Sequence, residues 1–131
     1  MPSILLVEDH AIVAKALTRV LHERGNLDVV AIAESGEKAL EKLQNLKVDL
    51  ALVDVSLPNM SGIELVAEIQ NKYPSLPCLM LSGHMSAHYV RRSLDAGARG
   101  YVIKDNVAGI LEGIQQVLKG EMYVSNELFE E

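Results

Sequence analysis

What is scarce in this 131-residue sequence limits what it can be. It holds a single cysteine, Cys78, so no intrachain disulfide framework is available, and such usage fits a reducing cytosol. That cysteine sits in the apolar stretch CLMLS, where a small core residue is the ordinary reading. No apolar run approaches the ~20 residues of a membrane-spanning helix. The N-terminus passes straight into SILLVE without a signal peptide, so no membrane contact and a cytoplasmic location are the expectation. Basic runs are missing too: 12 Lys and Arg stand against 18 Asp and Glu, a formal net charge of −6. Phosphate contacts dominate nucleic-acid affinity, so these residues alone are a poor DNA binder. No sequence repeat and no internal linker interrupts the chain. What is present is 49% hydrophobic and 23% charged, enough for one folded domain with a real core.

Short apolar runs alternate with helical patterns five times. Strands are predicted over 3–7, 27–33, 50–55, 77–82 and 100–103. Helix faces recur at 3.6-residue spacing through Val13, Ala16, Leu17, Val20 and Leu21, then through Ala39, Leu40, Leu43 and Leu46, then through Ile63, Val66 and Ile69. Helices over 86–96 and 107–118 follow, the last with Ile110, Leu111, Ile114 and Val117 inward. Punctuation agrees: Gly25 and Asn26 stop the first helix, Ser35 caps the second, Ser61 and Glu64 form a capping-box pattern, and Gly97 ends the fourth. Strict βα alternation implies a parallel sheet covered on both faces, with right-handed crossovers. Five units are too few for a closed eight-stranded barrel. The expected fold is therefore (βα)5, a flavodoxin-like (CheY-like) doubly wound sheet of order 2-1-3-4-5.

In such sheets ligands bind beyond the carboxyl ends of the strands. Glu8, Asp9 and His10 follow the first strand, Asp54 ends the third, Ser82 and Gly83 follow the fourth, and Lys104 follows the fifth. Neighbouring strands lie ~4.8 Å apart. Asp9, Asp54 and Ser82 thus come within reach of one another, and Lys104, two strands from Asp54, closes much of its gap with a long side chain. Converging carboxylates repel, and a divalent cation resolves the repulsion. Mg2+ (or Mn2+) suits oxygen ligands of this kind. A metal, a carboxylate nucleophile, a hydroxyl and an ammonium around one point suit phosphoryl transfer, with Asp54 on the central strand as nucleophile. More ordinary readings stand beside this one. Glu8 and Asp9 also complement a helix dipole. His10 reads as a helix-start residue rather than a metal ligand, and His22, His84 and His88 form no ligand spacing.

The pattern Glu8-Asp9, Asp54, Ser82, Lys104 resembles the receiver domain of bacterial two-component response regulators. The likeness covers residues 3–119, and "EDH" (8–10) and "GARGYVIKD" (97–105) look like the NarL/FixJ (LuxR-type) subfamily. The resemblance implies that Asp54 accepts phosphate from a sensor histidine kinase. Glu8, Asp9, Asp54 and the Ser56 backbone carbonyl would hold Mg2+, with Glu8 acting through a water. It implies that Ser82 and Lys104 bind the phosphoryl group, that Ser82 and Tyr101 form the switch as Tyr101 fills space that Ser82 vacates, and that Ser56 and His84 tune phosphate lifetime. Such a domain is regulatory rather than an enzyme, catalysing only its own phosphorylation and dephosphorylation. Three positions depart from the commonest pattern: Leu57 for methionine, Ser82 for threonine, and Asp105 for a proline, which leaves no cis-proline there.

Rival classes fit less well. An aspartate-nucleophile phosphatase of the haloacid-dehalogenase type needs a second acid two residues on, where this chain has Ser56. A flavin carrier needs a Ser/Thr/Gly-rich phosphate loop where this chain has "EDH". The receiver is placed at 1–120, and 121–131 reads as the start of a linker or C-terminal tail, with Ser125 as cap of a new helix at Asn126. The resemblance further implies a helix-turn-helix output domain beyond this chain, DNA contact only through that domain, and a phosphorylation-dependent homodimer. A stand-alone receiver acting through protein contacts is the alternative.

Overall fold

The computed structural model of the protein describes residues 1–83 and 86–125. Its elements run β1 (Ser3–Val7), α1 (Ala11–Gly25), β2 (Asp28–Ala33), α2 (Gly36–Leu43), β3 (Leu50–Asp54), α3 (Gly62–Lys72), β4 (Cys78–Ser82), α4 (Ala87–Asp95), β5 (Gly100–Ile103), α5 (Val107–Leu118) and β6 (Tyr123–Val124). Every strand pair is parallel, and the order is β2-β1-β3-β4-β5-β6. The expected order 2-1-3-4-5 is thus present, and the five-stranded sheet is corrected to six. Tyr123 and Val124, read from sequence as part of a linker or tail, pair with Gly100 and Tyr101. No helix among the described residues is long and apolar enough to cross a membrane.

Alternation along each strand feeds two separate cores. On one face Leu5, Val7, Ala51, Val53, Cys78, Met80, Tyr101 and Ile103 meet Ala39 and Leu43 of α2, Ile63, Leu65, Val66 and Ile69 of α3, and Val90 of α4. On the other face Ile4, Leu6, Leu50, Leu52, Leu79, Leu81 and Val102 meet Ala14, Leu17 and Leu21 of α1 and Ile110, Ile114 and Val117 of α5. Strands buried on both faces need apolar residues at successive positions, which is why LALV and CLML lack polar alternation.

The helix ends follow their local chemistry. Asn26 takes the left-handed conformation (φ 53°) that closes α1, and Gly97 does so after α4 (φ 111°). Ser61 and Glu64 form the full capping box: each side chain accepts from the other's backbone N–H at 3.1 Å. Helix α2 is shorter than its periodicity predicts. Its last bonds, Gln44 N–H to Glu41 O and Asn45 N–H to Lys42 O, span three residues. That tightened turn ends the helix and leaves Leu46 half-buried in the loop. At the β2 edge, Ile4 pairs with Val29 but Leu5 with Ala31, so Val30 is an extra residue in a bulge. The bulge turns Val29 toward the α1/α5 core and Ala31 toward the other.

Candidate functional site

The carboxyl edge of the sheet gathers the polar residues that the strand ends supply. Strand β3 ends in Asp54, only 2% exposed. Its Oδ1 accepts the Ser56 N–H at 2.9 Å, and its Oδ2 accepts from Lys104 Nζ at 2.7 Å. Glu8 continues β1 by donating its N–H to Ala33 O, and its carboxylate is wholly buried. The ammonium of Lys104 lies 2.8 Å from Glu8 Oε1, so one lysine bridges two buried carboxylates. Lys104 is anchored in turn, its N–H donating to Ser82 O at 2.8 Å. The lysine therefore closes the whole of the two-strand gap.

Asp9 and His10 are exposed at the rim. His10 is the N-cap residue of α1, as its place at a helix start implies, yet its side chain makes no capping bond. Its N–H donates to Glu8 Oε2 at 3.1 Å. Its ring Nδ1 lies 3.0 Å from Glu8 Oε2 and 3.2 Å from Asp9 Oδ1. The sequence signal for that engagement was simple adjacency, which also fits a solvated histidine. The Glu8 interaction, then the Asp9 charge, raises the His10 pKa above the ordinary histidine value.

Charge is divided unequally between the buried acids. Burial opposes ionisation of Glu8, but Lys104, the His10 backbone and ring, and Asp54 together hold its pKa below the usual value. Burial dominates at Asp54 and raises its pKa, with Lys104 and the Ser56 N–H opposing and Glu8 adding to the rise. Burial works against the Lys104 charge, yet Asp54 and Glu8 outweigh it and raise the lysine's pKa.

The donor set fits a hard divalent cation. Glu8, Asp9, His10 and Asp54 each offer a ligand atom, all within 4.8 Å of one another. Glu8 Oε1, though paired by charge with Lys104, is buried with no aligned hydrogen bond, so it has coordination to spare. Oxygen donors suit Mg2+ or Mn2+.

Ser82 and Tyr101 sit beside this cluster. Ser82 ends β4 and is 3% exposed, while Tyr101 is fully buried. Ser82 pairs with Ile103 and Tyr101 with Met80, so the two are diagonal neighbours on one face, within aromatic reach. Burial raises the Tyr101 pKa, and hydrogen bonding with Ser82 opposes that rise. The tyrosine ring already fills core space, ahead of any movement of Ser82. Ser56 is exposed, and its N–H holds Asp54. His84 lies outside the described residues. A close turn keeps the site compact: at Gly62 a Cβ would run into the Asp54 carbonyl oxygen, and the Gly62 N–H donates to Val55 O at 2.8 Å. Grooves around Pro74, Ser75 and Leu76 open at the opposite edge of the sheet, far from these residues.

Comparison with known proteins gives this geometry a context. The family profile described as the response regulator receiver domain matches residues 4–125. The response regulator GacA of Pseudomonas viridiflava is 33% identical over 129 residues, 98% of this chain and 60% of that protein. The transcriptional activator protein ExaE of Pseudomonas putida is 37% identical, covering 95% of this chain and 59% of that protein. The chain thus spans about 60% of the length of these curated relatives. Among solved structures, a LuxR-family two-component response regulator from Aurantimonas sp. SI85-9A1 superposes with TM-score 0.95 at 28% identity, covering 100% of this chain and 94% of that one. A CheY-like receiver domain protein from Methanospirillum hungatei JF-1 gives TM-score 0.82 at 31% identity, covering 92% of this chain and 95% of that one.

Proposed function

The chain belongs to the response regulator receiver domain family, and from that premise we propose that Asp54 takes a phosphoryl group from a phosphohistidine on a sensor histidine kinase. The observation that carries this reading is the Asp54 carboxylate at the end of β3, buried and held by Lys104 and the Ser56 N–H. An Asp54 oxygen bonds to phosphorus, the phosphorus–nitrogen bond breaks, and the imidazole leaves as the neutral ring after taking a proton. Glu8, Asp9, Asp54 and the Ser56 carbonyl would hold Mg2+ or Mn2+, Glu8 through a water, and the bound ion would supply positive charge to the phosphoryl oxygens.

The residues around Asp54 then change partners. The ionised carboxylate carries −1, whereas its acyl phosphate carries about −2 near neutral pH, by analogy with other phosphoresidues. Lys104 follows that charge, and the Ser82 hydroxyl donates to a phosphoryl oxygen. Tyr101, the neighbour of Ser82, reports the change. Ser56 and His84 set how readily water reaches the acyl phosphate. The domain performs no turnover on a separate substrate. In the cell it works in the cytoplasm, as the receiver part, placed at 1–120 and extended through β6, of a longer regulator. The output of that regulator is a domain that binds DNA, in keeping with the transcriptional names of its relatives. Phosphorylation drives homodimerisation.

Incubation with acetyl phosphate and Mg2+, followed by intact-mass measurement, tests the reading. One added phosphoryl group per chain, absent in Asp54→Ala, is the expected result. An unmodified wild-type chain, or catalytic turnover of a phosphomonoester, overturns it.

A further inference from the structure

Strand β6 is built into the domain and bonded to the switch tyrosine. Tyr123 N–H donates to Arg99 O at 3.1 Å, and Ser125 N–H donates to Tyr101 O at 3.0 Å. Two glycines shape its seat. A Cβ at Gly100 would run into the Tyr123 carbonyl oxygen, and one at Gly113 on α5 would lie 3.0 Å from the Tyr123 ring. The Arg99 guanidinium donates to Gly120 O at 3.0 Å, the Tyr123 hydroxyl reaches Glu112 Oε2 at 3.4 Å, and Ser125 is 1% exposed. Val124 packs on the core that contains Tyr101. The segment by which the chain leaves the domain is therefore fastened to β5 at Tyr101.

The opposite end of the same tyrosine meets Ser82. A path runs from the Asp54–Lys104 pair to Ser82, whose carbonyl accepts the Lys104 N–H, and from Ser82 to Tyr101, whose carbonyl accepts the Ser125 N–H. Coupling of this kind requires such a chain of contacts and an element with two arrangements. We propose that β6 is the read-out strand of the switch: phosphoryl capture of Ser82 draws a hydrogen-bond partner away from Tyr101, and the displaced tyrosine loosens the β5–β6 ladder at residues 123–125. How firmly residues 123–125 are held then depends on the state of Asp54. This inference rests on the phosphoryl-accepting reading.

Hydrogen exchange by NMR on the whole 131-residue chain, with and without beryllofluoride and Mg2+, tests it, with fluorine NMR on the same sample reporting bound beryllofluoride. The expected result is a bound fluoride signal and roughly tenfold faster exchange at the Tyr123 and Ser125 amides, since protection reports local opening. A bound signal with unchanged or slower exchange at those amides overturns the read-out and leaves phosphoryl acceptance standing. Absence of the bound signal removes both. Tyr101→Phe keeps the ring and deletes its hydroxyl. It is expected to show the faster exchange at 123 and 125 without beryllofluoride, and exchange identical to wild type in that variant also overturns the proposal.

Discussion

At the scale of single residues, the unequal treatment of two buried carboxylates has a measurable sign. A lowered pKa at Glu8 contributes stability above its unfolded value, lost as pH falls through the folded one. The raised pKa of Asp54 acts oppositely: its ionisation costs stability at neutral pH, and the cost disappears as pH falls through the folded value. Asp54→Asn in metal-free protein should therefore be more stable than wild type at pH 7. The gap in urea midpoint should shrink as the buffer is acidified toward the carboxylate range. Added Mg2+ should stabilise wild type and leave Asp54→Asn nearly unmoved. Lys104→Met should go the other way. It leaves Glu8 beside Asp54 without their shared ammonium, a change that costs about 3 kcal/mol at neutral pH and less in acid, where the acids take up protons. Cys78 offers a check on the core itself. Burial pushes its thiol up to about 12, so a disulfide reagent at pH 8 should label native protein only at the rate of unfolding and urea-unfolded protein at once.

Elements carry the site by where they stop. The β3–α3 turn needs Gly62 because the chain doubles back onto the Asp54 carbonyl, and the Ser61–Glu64 box then starts α3. Ser61→Ala should cost about 1 kcal/mol in urea unfolding and leave phosphorylation of Asp54 intact. Gly62→Ala should cost about 1–3 kcal/mol and also slow phosphorylation, because relief of the clash moves Asp54 itself. A split between the two variants in phosphorylation rate is the measurement. These turns also explain what was legible in the sequence. Periodicity and caps foretold all five helices, because an amphipathic face spreads its signal over many residues. The polar residues at the strand ends were equally readable, since βα order dictates which edge they share. Strand β6 was not. Two residues carry no period, and the glycines that seat Tyr123 stand at 100 and 113, far from it in sequence. The depth of Glu8 was also hidden: adjacent acids look alike, yet Glu8 prolongs the β1–β2 pairing onto Ala33 and is buried, whereas Asp9 is exposed.

For the whole molecule, the two faces of the sheet divide the labour. The α1/α5 core is apolar and continuous, while the other core holds Tyr101 beside Ser82. A change at Asp54 should therefore emerge on the side of α4, β5 and β6. Sedimentation velocity with beryllofluoride and Mg2+ should show a shift toward dimer in wild type and none in Asp54→Ala. Tyr101→Ala should bind beryllofluoride yet lose the shift. A sheet edge can also associate without any signal, and here the bulge at Val30 matters. With β6 laid along β5, β2 is the other sheet edge, its outer side without a neighbouring strand among the described residues, and Val30 and Ile32 are 41% and 37% exposed upon it. A straight edge of that composition is a template on which another chain adds a strand, and then another, toward insoluble fibres. The extra residue bends and twists β2, so an incoming strand finds register with only part of it. Val30, the more exposed of that strand's two valines, thereby makes the β2 edge a poorer template for strand addition.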